Sequence, residues 1–466
     1  MHDWRPSSEL YAATTSAGFQ YESSDLRIYR LFSQYLNAGQ PNIDAGTQSS
    51  ISEQRERVHD RGAYLQEEVL LLERKLAVTA GLRGETSSTN GDPNAIYFYP
   101  KVSASYRFLS PLSNVDDIKV RAAYGETGNH PLYAARFTSL QVNQNLQGNP
   151  GIGVNFNCSP AAPGNGACAG DPNIKPERAR EIEVGTDVTA FEGAATLEVN
   201  LYQRTIVDLL LQHAIASSEG WTAQWINGGV LRNRGIELGL TVQPRLGYDM
   251  HLSSTLGFSR NVGEIRSLPV PPFVVGGFGA SLGVFKIEQG ASPTQIVGTV
   301  AGSPNLAKIG DTEPDFIVHF SNRLSWHNFT LSFLLDWQKG SNIINLTRLL
   351  YDANSNSADW NTTGKARFSD WLSGNAAAYV ESASFLKLRE VTLSYDVPGT
   401  AIGRVWSAAK RLRLSISARN LITISPYSSF DPEVSNFANQ PIYRNIEVTP
   451  YPSSRSFWTS LELGFY

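Results

Sequence analysis

Hydrophobic and polar residues alternate over long stretches of this chain, the pattern that sends successive side chains of a β-strand to opposite faces. The clearest example sets three apolar residues against two polar ones: Leu412, Leu414 and Ile416 against Arg413 and Ser415. The same alternation recurs in segments 76–85, 118–121, 196–201, 236–243 and 328–337. One face of each segment suits lipid or a core, and the other suits water.

Extending this pattern with turn signals predicts fifteen strands. They span residues 10–21, 25–37, 57–70, 74–87, 96–109, 115–125, 179–190, 194–211, 231–243, 247–262, 314–325, 328–340, 379–396, 410–424 and 454–466. Short connections alternate with long, Gly-, Pro- and Asn-rich ones at 126–178, 263–313, 341–378 and 425–453, which we interpret as irregular loops. Transmembrane barrels segregate loop length in this way, because their periplasmic turns are tight and their extracellular loops long.

The predicted fold class is therefore all-β, a transmembrane antiparallel β-barrel with long extracellular loops. A β-sandwich also alternates, but it has no reason to sort its loops by length. An odd strand count does not close a bacterial single-chain barrel, so we expect residues 1–466 to be the C-terminal part of a larger one. The first residues, MHDWRPSSEL, lack the cationic and apolar regions of an export signal, which agrees with a missing front.

Composition supports this interpretation and narrows the function. The chain has 19 Tyr, 21 Phe and 9 Trp but only 2 Cys and 2 Met, a balance that favours strands with aromatic anchors. The net charge of -4 provides no basic field for nucleic acid. Its 7 His are scattered, and no catalytic motif is present, so we expect no enzyme activity, no cofactor and no metal site.

Several motifs resemble the C-terminal half of SusC/RagA-type TonB-dependent outer-membrane transporters. The most specific is Asn173-Ile174-Lys175-Pro176-Glu177, followed by Glu183 and Gly185. Others are Asn227-Gly228-Gly229, Asn233-Arg234-Gly235, Phe385-Leu386-Lys387-Leu388-Arg389, Ala418-Arg419-Asn420-Leu421 and Phe430-Asp431-Pro432-Glu433. Together they cover nearly the whole chain in the order of that family.

The resemblance implies a 22-stranded barrel in the bacterial outer membrane, with an N-terminal plug that this chain lacks. It also implies uptake of a nutrient, a glycan or a peptide, with a SusD-like surface lipoprotein, the TonB complex acting through the missing plug, and the barrel-assembly machinery as partners. A passive porin-like channel and a secreted β-sandwich binding protein remain alternatives. Siderophores also remain possible as substrates, because the selecting residues lie partly in the plug.

Most of these motifs have a structural interpretation. Lys175 and Glu177 lie where a long loop enters a strand, and Pro176 between them fixes the backbone there. Between Leu388 and Val391 the apolar phase slips by one residue, which predicts a β-bulge near Arg389. The resemblance implies that a C-terminal aromatic residue is recognised during barrel assembly, a role here for Phe465 with Tyr466 displaced by one position.

Two further groups of residues are candidates for binding or bonding. Cys158 and Cys168 share one Gly-rich loop and form a disulfide or remain free thiols. Acidic residues in the loops could bind a cation or a ligand, or simply be solvated: Asp311, Glu313, Asp431 and Glu433. Four loop tryptophans could stack on a ligand or anchor the loops at the headgroup level: Trp221, Trp225, Trp360 and Trp371.

Overall fold

The computed structural model describes residues 2–4, 11–36, 39–40, 42–138, 141–143, 151–153, 169–216, 221, 223–247, 249–405, 408–437 and 443–465. Its main feature is a 15-stranded sheet in which neighbours along the sheet pair antiparallel. The strands are β1 (His2–Trp4), β2 (Tyr11–Leu36), β3 (Gly46–Leu71), β4 (Leu76–Ser87), β5 (Tyr97–Leu112), β6 (Val115–Asn129), β9 (Glu177–Ala190), β10 (Ala195–Val207), β13 (Val230–Val242), β14 (Met250–Ser267), β19 (Phe316–Trp326), β20 (Phe329–Lys339), β23 (Phe385–Asp396), β24 (Arg411–Ile424) and β26 (Ser456–Gly464).

The connections between these strands contain the remaining elements. They are β7 (Gln141–Asn143), β8 (Gly151–Gly153), β11 (Leu210–Ala214), β12 (Ala223–Asn227), β15 (Phe273–Val275), β16 (Val284–Ile287), β17 (Gln295–Gly298), β18 (Ala307–Asp311), β21 (Asn342–Asn345), β22 (Val380–Ser382), β25 (Ile446–Glu447), and helices α1 (Leu346–Ala353), α2 (Lys365–Leu372) and α3 (Gly399–Val405). A π-helical turn spans Trp360–Gly364, and short 3-10 turns span Ile43–Ala45, Ala376–Tyr379 and Tyr443–Asn445. Within the described residues, no helix has the length and apolarity needed to span a membrane.

The all-β fold class is confirmed, because the sheet follows chain order from β1 to β26. In the described part of the chain β1 and β26 are the two edges of the sheet, and no pairing joins them. The sheet is therefore an open stretch of wall, which agrees with a partial barrel.

The N-terminal strands differ from the prediction. Residues 10–21 and 25–37 were predicted as two strands, but nearly all of them belong to the single 26-residue strand β2, which pairs with β3 over nearly all of its length. The polar run around Ser23 resembles a turn in sequence, yet Asp25 forms ion pairs with Arg27 and Arg57 at 3.0 Å within the ladder. At about 3.3 Å per residue the hairpin is roughly 85 Å long, far more than a membrane core of about 30 Å.

The alternating faces are confirmed by the pairing register. Leu412 pairs with Leu463 and Leu414 with Leu461, so the apolar row of β24 continues onto β26. Arg413, between the two leucines, pairs with Glu462 on the opposite, polar face. We call the face that carries these apolar rows the outer face of the sheet.

The predicted β-bulge is confirmed. The pairing of β23 passes from Leu388 directly to Glu390 on both of its neighbours, which leaves Arg389 outside the ladder. A bulge of this kind directs an extra side chain away from the regular alternation.

The segregation of loop lengths is also confirmed, but the long loops are not all irregular. Short turns such as 72–75, 191–194 and 327–328 lie at one end of the sheet, and the long connections that follow Asn129, Ser267, Lys339 and Ile424 begin at the other. Connections 268–315 and 340–384 contain short strands and two helices, and the predicted strand 379–396 is interrupted before Phe385. The prediction of irregular loops failed for the short strands because they span only three to five residues, too few to show alternation.

Candidate functional site

Parts of three long connections pack together at one end of the sheet, and we call them the loop module: residues 268–315, 340–384, 425–437 and 443–455. Strands β15 to β18 form a four-stranded sheet within the first connection. Strand β21 of the second connection pairs antiparallel with β22 and parallel with β25 of the third. The second and third connections are therefore joined by backbone hydrogen bonds, although the paired residues Ile344 and Ile446 are about 100 positions apart in sequence.

A hydrophobic core holds the loop module in one arrangement. Its most buried members are Phe285, Ile296, Ile344, Tyr379 and Ile446, each exposed to 3% or less. They come from all three connections. Burying a large apolar side chain contributes about 1.5–3 kcal/mol, so this core can order connections that have no extended strand pairing of their own.

Helix α1 begins at a side-chain cap and ends in a buried carboxylate. The Asn345 Oδ1 accepts a hydrogen bond from the Arg348 amide at 2.9 Å, which satisfies a free donor of the first turn. At the other end Asp352 is fully buried and accepts hydrogen bonds from Arg367 and from the Tyr379 hydroxyl, both at 2.8 Å. Burial and the bond to Asp352 raise the pKa of Tyr379.

The guanidinium groups of this region are matched by carboxylates. Arg367 binds both Asp352 and Asp359, and Arg348 binds Asp359 at 2.8 Å and Glu381 at 3.0 Å. The hydrogen bonds from Arg367 hold the pKa of Asp359 well below its usual range. Because each charge has a partner, this network orders the module and offers no unpaired cation to an anionic ligand.

A second buried carboxyl group lies on β25. Glu447 is fully buried and accepts a hydrogen bond from the Tyr427 hydroxyl. Burial raises the pKa of Glu447 above its usual range, against the opposing effect of that bond. Burial therefore shifts the equilibrium of Glu447 towards its neutral form, relative to a solvated glutamate.

A cavity of about 550 Å³ opens beside this network. Its lining combines hydroxyl, amide and charged groups with two aromatic rings: Thr347, Arg348, Tyr351, Asn356, Ser357, Ala358, Asp359, Ser428, Ser429 and Phe430. Tyr351 and Phe430 are 47% and 60% exposed. Convergent polar groups beside exposed aromatic faces are typical of a small-molecule site.

The predicted acidic residues Asp431 and Glu433 form ion pairs between the loop module and the sheet. Both carboxylates bind Lys387, and Glu433 also binds Arg389, the residue extruded by the bulge, at 2.6 Å. Burial raises the pKa of Asp431, but the hydrogen bond and charge of Lys387 outweigh it and hold that pKa below its usual range. Asp431 is only 5% exposed, so the alternative of a solvated loop carboxylate does not hold for it.

The other two acidic candidates are also occupied by protein contacts. Asp311 accepts hydrogen bonds from Ser292 and Thr294 and pairs with Lys308 at 2.9 Å. Glu313 accepts a bond from the Gly263 amide at 3.0 Å, which ties the loop module to β14. Among the described residues, no group of three or more His, Cys, Asp and Glu side chains is arranged to hold a metal ion.

The four candidate tryptophans lie in different surroundings. Trp371 packs against the module core, and its Nε1 donates to the Ser281 carbonyl at 2.8 Å, so it joins two connections. Trp360 lies 6.3 Å from the ring of Phe368. Trp225 lines a separate apolar groove of about 270 Å³, and Trp221 is partly buried. Ligand stacking by these residues remains a prediction.

The motif from Asn173 to Glu177 lies where a long loop enters strand β9, and it forms hydrogen bonds with neighbouring segments. The backbone of Lys175 exchanges two hydrogen bonds with the side chain of Asn227. Glu177 accepts hydrogen bonds from the Leu210 amide at 2.7 Å and from Asn129 at 3.0 Å. These contacts hold the end of the loop against neighbouring segments, which agrees with a structural role for the motif.

The following two motif positions lie on β9. Gly185 leaves room for the side chains of Asn200 and Arg121, since an added Cβ would lie 2.3 Å from the Asn200 Oδ1. Glu183 lies 4.0 Å from Arg121 on the same polar face. Phe465 follows β26 and is exposed, whereas Cys158, Cys168 and Tyr466 lie outside the described residues.

Sequence reasoning missed the network around Arg348, Asp352 and Arg367. A usable signal existed, because the cap residue Asn345 precedes apolar residues at helical spacing in the segment that forms α1. The ion partners themselves could not be identified, since they meet only when α1 and α2 pack together.

Comparisons with known proteins agree with this architecture. A family model described as TonB dependent receptor-like, beta-barrel matches residues 2–421. Two curated relatives from Formosa agariphila, TonB-dependent receptors P26 and P3, are each 25% identical over 84% of this chain and 44% of their own length. The chain spans about half the length of such relatives.

Solved structures show the same fold. The RagAB peptide transporter superposes with a TM-score of 0.77 at 18% identity, covering 99% of this chain and 54% of that one. The Escherichia coli outer membrane transporter YddB superposes with a TM-score of 0.53 at 13% identity, covering 98% and 52%.

Proposed function

The chain belongs to the family of TonB-dependent receptor-like β-barrels, and on that premise we propose that it forms wall and extracellular loops of an active nutrient transporter. Proteins of this family are outer-membrane receptors and transporters, not enzymes. The proposed cargo is a glycan or a peptide, taken up with energy from the TonB complex through a plug.

The observation that carries this proposal is the loop module at the long-connection end of the sheet. Its core, its paired charges and its cavity form a packed structure at what would be the extracellular mouth of the barrel. A passive pore needs no ordered surface of this kind, whereas a transporter must capture its cargo before it opens. The module therefore favours selective uptake over diffusion.

We propose a SusD-like lipoprotein as the partner that covers this mouth. The solved RagAB structure is described as a peptide transporter, and the fold shared with it supports a related assembly. The exposed rings of Tyr351 and Phe430 on the cavity rim would then take part in cargo capture.

The test is uptake by cells that carry the complete transporter containing this chain. Fluorescent peptides and oligosaccharides are supplied to these cells with TonB intact and with TonB deleted. We expect accumulation of one cargo class that disappears without TonB. Uptake that persists without TonB would favour the porin-like alternative, and uptake of neither class would contradict the proposal.

The partner is tested separately by purification from outer membranes. We expect a surface lipoprotein to copurify with the wild-type transporter and to be retained by the Tyr351→Ala variant, whose change is confined to the cavity. Purification of the transporter alone, under conditions that preserve its uptake activity, would contradict the partner proposal.

A further inference from the structure

Five arginines cluster on the outer face of the sheet near the long-connection end, and we call them the arginine cluster: Arg178, Arg180, Arg232, Arg234 and Arg266. They lie on β9, β13 and β14. Thr205 on β10 pairs with Arg180 on one side and with Arg232 on the other, so the two groups lie two strands apart, or roughly 10 Å. The cluster is thus one continuous patch.

The position of the cluster follows from strand alternation. On β9, Arg180 shares a face with Ile182 and Val184, which are 52% and 47% exposed and belong to the apolar rows. The intervening Glu181 and Glu183 lie on the opposite face. The arginines therefore continue the apolar rows of the outer face towards the loops.

The cluster carries more positive than negative charge. Glu126 lies 3.1 Å from Arg178 and 3.4 Å from Arg180, and it is the carboxylate that this pair shares. Glu264 serves the other three, at 2.7 Å from Arg232 and Arg266 and 4.0 Å from Arg234. Five guanidinium groups thus share two carboxylates.

Several donors of the cluster remain available to a ligand. Arg180, Arg234 and Arg266 have side chains 47%, 55% and 48% exposed. Arg232 is less exposed, at 20%, and holds Glu264 within the cluster. A guanidinium group presents several N–H donors in a planar fork that matches phosphate oxygens.

We propose that the arginine cluster binds the phosphate-bearing headgroup of a lipid in the outer leaflet of the outer membrane. The apolar rows below it would contact the acyl chains of the same lipid, while the surplus guanidinium charge binds the phosphate. The commitment to a lipid, and not to a soluble anion, rests on this continuity of charged and lipid-facing rows. The proposal goes beyond cargo uptake and depends only on the location of the barrel in that membrane.

The experiment measures lipid binding by the complete transporter in a neutral detergent, using native mass spectrometry. The probes are monophosphoryl lipid A, the same lipid without its phosphate, and inorganic phosphate. The test variant Arg232→Gln/Arg266→Gln is compared with Arg204→Gln/Arg323→Gln, which removes two arginines from the opposite, polar face. Heat-modifiable migration in gels checks that each variant is assembled.

We expect wild-type protein and the polar-face control to retain the phosphorylated lipid in preference to the dephosphorylated one. The test variant should bind it about tenfold more weakly, the effect of losing about 1.4 kcal/mol. Should that variant fail to assemble, Arg234→Gln replaces it. Arg234 lies 4.0 Å from Glu264, the longest ion pair of the cluster, so its removal should disturb the sheet least. We expect a smaller loss of lipid binding in the same direction.

Three results would overturn the proposal. The first is equal retention by wild-type and test variant. The second is equal binding of the two lipids, which would leave the phosphate without a role. The third is displacement of the lipid by inorganic phosphate at equal concentration, which would identify a soluble anion as the ligand.

Discussion

In the sheet, large apolar side chains are exposed, with Leu414 at 41% and Ile416 at 62%. In the loop module, Ile296 and Ile344 are exposed to 0% and 1%. The sheet holds its shape through a continuous hydrogen-bond ladder and leaves its apolar face to lipid. The loop module folds like a small water-soluble domain, with its own core and buried ion pairs.

This contrast means that the two regions should respond to different mutations. A charge introduced on the outer face of the sheet must be placed in contact with lipid. In the module, removing one member of a buried ion pair leaves the other charge without a partner. The four predictions below separate these responses, from the largest expected effect to the smallest.

Arg367→Ala is expected to have the largest effect, confined to the loop module. It leaves Asp352, which is fully buried, without its cationic partner, and breaking a buried pair in this way costs about 3–5 kcal/mol. Limited proteolysis of intact cells should cut the module while the sheet stays assembled. Adding Asp352→Asn should restore part of the resistance, and unchanged resistance in the single variant would show that the pair is not structural.

Leu414→Arg should impair the sheet and spare the module. An arginine on the lipid-facing side of a barrel costs about 2–4 kcal/mol near the membrane midplane. The matched control is Ser415→Arg, whose side chain lies on the opposite face beside Ser394 and Ser460. The amount of heat-modifiable protein in outer membranes should fall for the first variant only. Equal assembly of both would contradict the assignment of faces.

Glu447→Gln should change how the module responds to pH. Because the pKa of Glu447 is raised in the folded state, ionisation of the unfolded chain makes folding less favourable as pH rises from the unfolded pKa to the folded one. Glutamine keeps an acceptor for Tyr427 and cannot ionise. Hydrogen exchange of residues 443–449 should therefore slow at pH 8 but not at pH 4 in the variant. Exchange rates that are the same in the variant and the wild type at pH 8 would contradict a raised pKa of Glu447.

Arg245→Ala should have the smallest effect. Arg245 and Glu192 form an ion pair at 3.0 Å at the short-turn end, with side chains 81% and 76% exposed. Exposed pairs of this kind change stability by only about 0–1 kcal/mol. Assembly in membranes and protease resistance of the loops should both match the wild type, and a clear loss of either would mean that this turn has a further contact.

Much of the sheet was predictable from sequence because strand alternation is a local signal. Strands such as Arg411–Ile424 lie within one residue of their predicted bounds, and the bulge at Arg389 was predicted from a phase slip alone. The prediction of two strands in place of β2 failed for the same reason, because it too used only local sequence. A polar run such as Glu22 to Asp25 looks like a turn unless the pairing with β3 is known.

The sequence by itself determined the all-β fold, the two faces of each strand and the end of the sheet that carries the long loops. These follow from residue type and spacing over a few neighbouring positions. Only the tertiary structure decided that those loops form a packed module, that Asp431 is buried against Lys387, and that five arginines share two carboxylates. Each of these depends on residues tens of positions apart, and their proximity arises from strand pairing and core burial, which no local pattern records.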